Sequence, residues 1–311
     1  MLSRVANNLF WMDRYMERSY GLINLIKTNY NSTIDSGDYS SWEIIMKSYM
    51  GQIESEEYQN YIDSISAIEF MIFDTKNPNT LINILNKSRE NARSVQEHIS
   101  RELWLSINTY YLHISKSSTF KKLKKSNPII FLNDLLKYNH IYYSTADISQ
   151  ERGNAYCFMC LGKYIERVAQ SIDFLSVRIL DLDEEKQNFQ DTYFWKNLLT
   201  SIGGYQLYIK TYKSIFNVEN IIEMITINEY FPRSIFYSIE KLNIHLKRLN
   251  EYNKLSDKKL KFKIGKLRND VKYTTLETLK SNGIKEFLRE VKFQVNQISE
   301  SINQIYFSLK G

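Results

Sequence analysis

A chain of 311 residues, 43% of them AVILMFWYC and 24% charged, can bury a large core, and its net charge of +6 falls well short of one built to grip nucleic acid. Ten glycines and three prolines are too few for the frequent reversals of a sheet-rich fold, which leaves long helices. No window reaches the roughly 18–20 apolar residues of a membrane span, and the two cysteines give no disulfide framework.

Ser3 reads as an N-cap, and the first helix is expected to run to about residue 31. Its charges (Arg4, Asp13, Arg14, Glu17 and Arg18) exclude the apolar centre of a signal peptide, so a cytoplasmic, reducing location is expected. A polar turn with Gly37 leads to a second helix over 42–50, and 58–73 reads as a third. Asn77-Pro78-Asn79 predicts a helix start with proline in the first turn, where its missing N–H costs nothing. Leu81, Leu85, Ser88, Ala92, Val95, Ile99, Leu103, Ser106 and Tyr110 then keep a 3-4 rhythm, which predicts one helix of roughly eight turns or about 45 Å. Residues 121–125 read as a basic connector, 129–144 as a helix opened by Pro128, and 145–153 as a polar joint. A helix over 154–181 follows, then an acidic loop over 181–190. The helix expected over 192–212 should be disturbed at Gly203-Gly204. A short helix over 218–227, one after the break at 231–234 running to 249, one over 258–280 and a last one over 283–309 complete an all-α, long-helix bundle.

One segment occurs twice. Phe158, Leu161, Ile165, Val168, Ile172, Leu175 and Ile179 form a stripe on one helix face, and the positions 149 residues earlier hold Leu9, Met12, Met16, Ser19, Ile23, Ile26 and Tyr30. Tyr164-Ile165-Glu166-Arg167 thereby aligns with Tyr15-Met16-Glu17-Arg18. The expectation is a single pseudo-symmetric domain over 1–311 with halves of about 1–149 and 150–311.

With Phe158 and Leu161 at seam positions a and d, Glu166 and Arg167 fall at b and c. A solvated face, worth about 0.3–0.5 kcal/mol of i,i+4 pairing, is one reading of such a pair. An inward face lining a cleft is the other. A second polar cluster, Arg89-Glu90-Asn91-Ala92-Arg93 with Glu97, either lines a groove beside the thin Ser88–Ala92 seam or coats an exposed edge through pairs such as Arg93–Glu97. Arg233, behind Pro232 at a helix start, is a third basic contributor. Arginines near free helix N–H groups make a place for phosphate or carboxylate.

Other chemistry is poorly supported. Cys157 and Cys160 form a C-x-x-C without a second ligand pair, and His98, His113, His140 and His245 lack metal spacing, so core cysteines and no metal or cofactor are expected. There is no E-x-x-H di-iron signature, no Gly-rich phosphate loop and no G-x-S-x-G. The lysine runs at 121–125 and 258–263 read as solvated, with nucleic-acid binding a minor alternative.

The opening Met-Leu-Ser-Arg-Val-Ala-Asn-Asn-Leu-Phe-Trp-Met, the two Glu-Arg segments, Asn77-Pro78, residues 88–93, and Phe231-Pro232-Arg233-Ser234 together resemble the alpha-E domain family of bacterial helical proteins. The resemblance implies a partnership with ATP-grasp-type ligases and transglutaminase-like peptidases, and so a role in amide-linked peptide chemistry. It carries Glu17, Glu90 and Glu166 over as candidate catalytic acids or bases. Arg18, Arg89, Asn91, Arg93, Arg167 and Arg233 become candidate binders of an anionic amino acid, peptide or acyl phosphate. The alternative is a non-catalytic scaffold or partner-binding subunit, and a nucleic-acid-associated protein ranks below both. The family pattern also implies an acidic residue shortly after each Glu-Arg and an arginine seven after the glutamate. Here Ser19-Tyr20-Gly21 with Asn24, and Ala169-Gln170 with Asp173, stand instead, which points to an altered or inactive member.

Overall fold

Helix α8 (Asn154–Ile179) carries the second Glu-Arg segment, and every apolar stripe residue from Phe158 to Ile179 is buried. Each such side chain contributes about 1.5–3 kcal/mol of burial free energy, offset by the entropy of ordering the chain. The computed structural model describes residues 1–37, 39, 41–50, 63–179, 189–213, 216–253 and 257–308. Fifteen α-helices and no strand occur among the described residues, so the expectation of an all-α fold holds. The third helix of the sequence reading lies partly, and the acidic loop largely, outside the described residues.

The chain divides into two units, one of Met1–Arg14 with Arg152–Gly311 and one of Tyr15–Glu151. The division falls inside α1 (Ser3–Ser36), between Arg14 and Tyr15.

In the first unit, α8 packs along α12 (Ile235–Asn253) and against α15 (Ile284–Ile302), and α13 (Lys258–Lys272) packs against both α12 and α15. Contacts of 152 with 252, 164 with 245 and 167 with 232 show that α8 and α12 run antiparallel. The start of α1 lies so close to α8 that a β-carbon on Gly162 would stand 2.0 Å from the Phe10 carbonyl oxygen. Only glycine allows that approach. Helices α9 (Phe189–Ser201), α10 (Tyr205–Tyr212) and α11 (Val218–Thr226) form a smaller group. The expected disturbance is a true break, with Gly203 at φ +73°. Short α14 (Leu276–Asn282) precedes α15, so the helix expected over 258–280 is two helices.

In the second unit, α1 from Tyr15 onward joins α2 (Ser41–Met50), α3 (Ser64–Phe73), α4 (Leu81–Arg93), α5 (Arg101–Ile114), α6 (Ser117–Lys125) and α7 (Pro128–Ser149). The eight-turn helix expected over 81–110 is two helices, α4 and α5, packed on each other. A 3-10 turn at Gln96–His98 separates them while Val95, Ile99 and Leu103 all stay buried, so the apolar rhythm survives the break. Ser100 caps α5, and the distant Gln150 side chain accepts from Ser100 N (3.0 Å) and donates to His98 O (3.1 Å). Pro78 sits in a turn ahead of α4, with Thr80 as the residue preceding the first turn, so proline is not inside the helix as expected. At α7 the proline rule does hold, with Asn127 capping and Pro128 at the first position. The basic connector is itself a helix, α6, whose Lys122 and Lys124 pair with Asp134 and Glu69.

Candidate functional site

The glutamates of both Glu-Arg segments are buried, which excludes the solvated-face reading for them. Each segment is engaged within its own unit. In the first, the Glu166 carboxylate accepts from Arg14 Nε at 2.7 Å, with side-chain exposures of only 6% and 15%. The Arg14 guanidinium also lies 4.7 Å from the Trp11 ring centre. Arg167 is buried, donates from Nη1 to the Pro232 carbonyl (3.1 Å), and lies over the Tyr164 ring at 5.3 Å. Ser171 donates to the carbonyl of Arg233 (2.8 Å). Arg167 and Ser171 therefore hold the turn that opens α12, and Arg233, also buried, sits in that turn beside them.

In the second unit, Glu17 is fully buried and accepts from Tyr143 Oη at 2.6 Å. Arg18 and Lys87 both approach the Tyr15 ring, each at 5.7 Å. Burial, then the charge of Arg18, pushes the Lys87 pKa down. Arg89 donates to Asn108 (2.7 Å) and Glu90 (3.0 Å) and stands 5.0 Å over Tyr111. Glu90 also pairs with exposed Arg93 at 2.7 Å. The expected Arg93–Glu97 pairing gives way to this one because α4 ends at Arg93, which puts Glu97 in the following turn. Asn91 is half-buried on the same helix.

Of the sequence candidates, then, Glu166, Arg167 and Arg233 come together in one unit, and Arg89, Glu90 and Arg93 in the other, where Glu17 and Arg18 also lie. An open groove of about 430 Å³ in the second unit, lined by Glu69, Phe70, Asp74, Phe120 and Lys124 among others, contains none of them. At the positions where the family pattern differs, Asn24 is buried and donates to the Tyr20 carbonyl (2.9 Å), Gln170 is buried, and Asp173 accepts from Lys292 (2.8 Å). Cys157 and Cys160 are buried free thiols, and burial pushes them up to about 11 and about 12, so neither ionises near neutrality. No group of three metal-ligating side chains occurs among the described residues.

Residues 1–307 match the Alpha-E family model, described as a predicted alpha-helical domain with a conserved ER motif. The chain belongs to the Alpha-E family. No curated protein and no solved structure matches it. Among the described residues of this Alpha-E chain, no helix is long and apolar enough to cross a membrane.

Sequence reasoning missed His245. It lies on α12, buried, stacked near-parallel to Tyr164 (13°, centroids 6.0 Å) and edge-on to Tyr156 (5.6 Å), and its Nδ1 has no hydrogen-bond partner. Burial pushes its pKa down to about 4, and the charges of Arg248, Lys241, Lys163 and Arg152 push the same way. The signal was present as Tyr237, Lys241, His245 and Arg248 at helical spacing, masked because tyrosines on helices read as core filling.

A depressed histidine pKa has a definite consequence for stability. The unfolded chain, with His near 6.5, binds more protons than the folded one between about pH 6.5 and pH 4, so stability falls as pH falls through that window. The expected loss from this group is about 3 kcal/mol. Chemical denaturation at several pH values checks it, with His245→Gln flattening the slope over that window.

Proposed function

We propose that this Alpha-E protein binds an anionic amino acid, peptide or acyl phosphate and serves an ATP-grasp-linked system that forms amide bonds. One observation carries the reading: basic side chains gather over the tyrosines of α8 and α12, with Arg152 4.2 Å from the Tyr156 ring centre, Lys163 5.7 Å from that of Tyr164 and Lys241 5.1 Å from that of Tyr237, while the motif carboxylate of α8, Glu166, is already committed to Arg14. A region with its acid occupied and its bases gathered favours an anion. The same commitment of Glu166 favours a binding role over proton transfer, because a general base must have its lone pairs available to the substrate. We read α1 and α8 as copies of one duplicated helix, and Arg167 and Arg233, in the same unit as α12, as groups that support recognition of the ligand.

A second reading, a scaffold for the ligase, draws support from Arg167 and Ser171, whose hydrogen bonds tie α8 to the turn before α12. Calorimetry with glutamate, short acidic dipeptides and acetyl phosphate separates the two. Binding that weakens more than about tenfold in Lys241→Gln/Arg248→Gln supports the anion site, since that factor is the loss of about 1.4 kcal/mol. Absence of heat with all three ligands overturns it. In a reconstituted ligase mixture, unchanged product formation by Glu166→Gln is the outcome expected of a binding role.

A further inference from the structure

Helix α13 turns one side to the first unit and the other to solvent. Leu260, Ile264, Leu267 and Val271 are its buried positions, and it packs against α12 and α15. The opposite side carries Phe262, 71% exposed, and Tyr273, just past the last turn and 76% exposed. Helical spacing places these two rings about three turns, or roughly 16 Å, apart along one line. Lys258, Lys259 and Lys266 border that line and Lys261 and Lys272 flank it, all exposed and none in an ion pair with a described residue. Asp270, at the other edge, is the one acid in the helix. The lysine run of α6 differs, since its Lys122 and Lys124 are paired with Asp134 and Glu69.

We propose that this outer side of α13 is a docking surface for an anionic lipid bilayer. The helix lies flat on it, with Phe262 and Tyr273 entering the headgroup layer and the lysines reaching the lipid phosphates. Rings on one line of a helix reach the same depth in a plane surface, and aromatic side chains are favoured at that level. Lysines beside them lay their stems along apolar surface while the ammonium stays at the phosphates. A cluster of about four to eight basic residues on one helix is drawn to an anionic leaflet. A single-stranded nucleic acid fits this side less well. Such strands are held in a groove that tracks the backbone, whereas the outer side of one helix is convex. The planar fork suited to phosphate recognition is also engaged elsewhere, because Arg268, the one arginine of α13, pairs with Glu240. The helix keeps its apolar side in the protein, so the association is peripheral. None of the groups assigned above to the ligand lies on α13, and the inference holds or fails independently of that reading.

Flotation of the full chain with vesicles tests it. Vesicles of phosphatidylcholine with about 30% phosphatidylglycerol should carry the protein upward, and vesicles of phosphatidylcholine alone should not. Raising the salt from about 0.05 M to about 0.5 M should weaken the binding, because the attraction is screened. Lys259→Gln/Lys266→Gln is expected to lower affinity for the anionic vesicles by more than about tenfold. Phe262→Ala/Tyr273→Ala should lower it by a similar factor. Lys121→Gln/Lys125→Gln removes the same charge from exposed positions of α6 and should change it by less than about twofold. All three variants replace exposed side chains, so each should unfold at the parent's temperature, which circular dichroism reads. No binding to the anionic vesicles overturns the surface, and so does binding that survives both α13 variants. Equal weakening by the α6 variant overturns it too, since net charge alone then decides. Loss in the lysine variant without loss in the aromatic one means diffuse attraction and no docked helix. Capture of an oligouridylate through the same residues, with vesicles left unbound, assigns the face to nucleic acid and sinks the lipid proposal.

Discussion

Gly162→Ala should lower the stability of the chain by about 3–5 kcal/mol, among the largest effects of any single added methyl group. The new β-carbon would sit 2.0 Å from the Phe10 carbonyl oxygen and 2.9 Å from its carbon, and both are backbone atoms inside α1 that cannot rotate away. Relief requires α1 and α8 to separate by more than an ångström. That separation strips packing from Leu9 and Met12 on one helix and from Leu161 and Ile165 on the other, all of them buried. Gly265 gives the control. It lies within α13 with open space around its missing β-carbon, so Gly265→Ala should be neutral or stabilising by about 0.4–1 kcal/mol. Calorimetric unfolding of the two variants reads the contrast, and a Gly162→Ala protein as stable as the parent would remove the close crossing from the description.

Glu166→Ala is the second large effect. It leaves the Arg14 guanidinium, 15% exposed, without its carboxylate, and breaking a buried pair on one side costs about 3–5 kcal/mol. Glu166→Gln keeps an acceptor for Arg14 Nε and should cost less than half as much. The double variant Arg14→Met/Glu166→Ala removes the stranded charge as well, so it should recover a large part of the loss. A double-mutant cycle by urea denaturation is expected to give a coupling of about 2–3 kcal/mol. Purely additive effects would mean that the pair contributes nothing beyond its separate parts. The variants also bear on function: if Glu166 serves the fold through Arg14, ligand binding by Glu166→Gln should match the parent under conditions where both are folded.

Much of the architecture was legible because it depends on local pattern. The seam residues of α8 repeat at helical spacing and all are buried, and the Gly203-Gly204 pair marks a real break. The break between α4 and α5 was not legible. No glycine or proline marks it, and the apolar rhythm runs through it, since Val95, Ile99 and Leu103 are buried on both sides of the turn. What holds it is the amide of Gln150, fifty residues away from Ser100, and such information lies outside any local window.

The sequence left the burial of Glu166 and Arg167 as one of two readings for a related reason. A two-helix seam leaves positions b and c free, but α8 is packed by α12 and α15 and crossed by the start of α1, so it has few free faces. The cluster around His245 was hidden because its members come from two helices that meet antiparallel, and neither helix alone shows a site. The motif residues themselves were found. Their partners, Arg14, Tyr143, Asn108 and the Pro232 carbonyl, were not, since a motif records which groups are present and not what they hold.

The division inside α1 has a consequence for how the polypeptide is made. Residues 1–14 leave the ribosome ahead of the rest of their unit, and the carboxylate that Arg14 grips comes 152 positions later. Tyr15–Glu151 is one continuous stretch, whereas residues 1–14 must wait for it to be made before Arg152–Gly311, the remainder of their own unit, follows. Closing so long a loop is slow, though its entropic cost grows only logarithmically with length. In the interval Leu9, Phe10 and Met12 lack the cover that Arg152–Gly311 gives them, which leaves this segment of a nascent chain open to a chaperone or to aggregation.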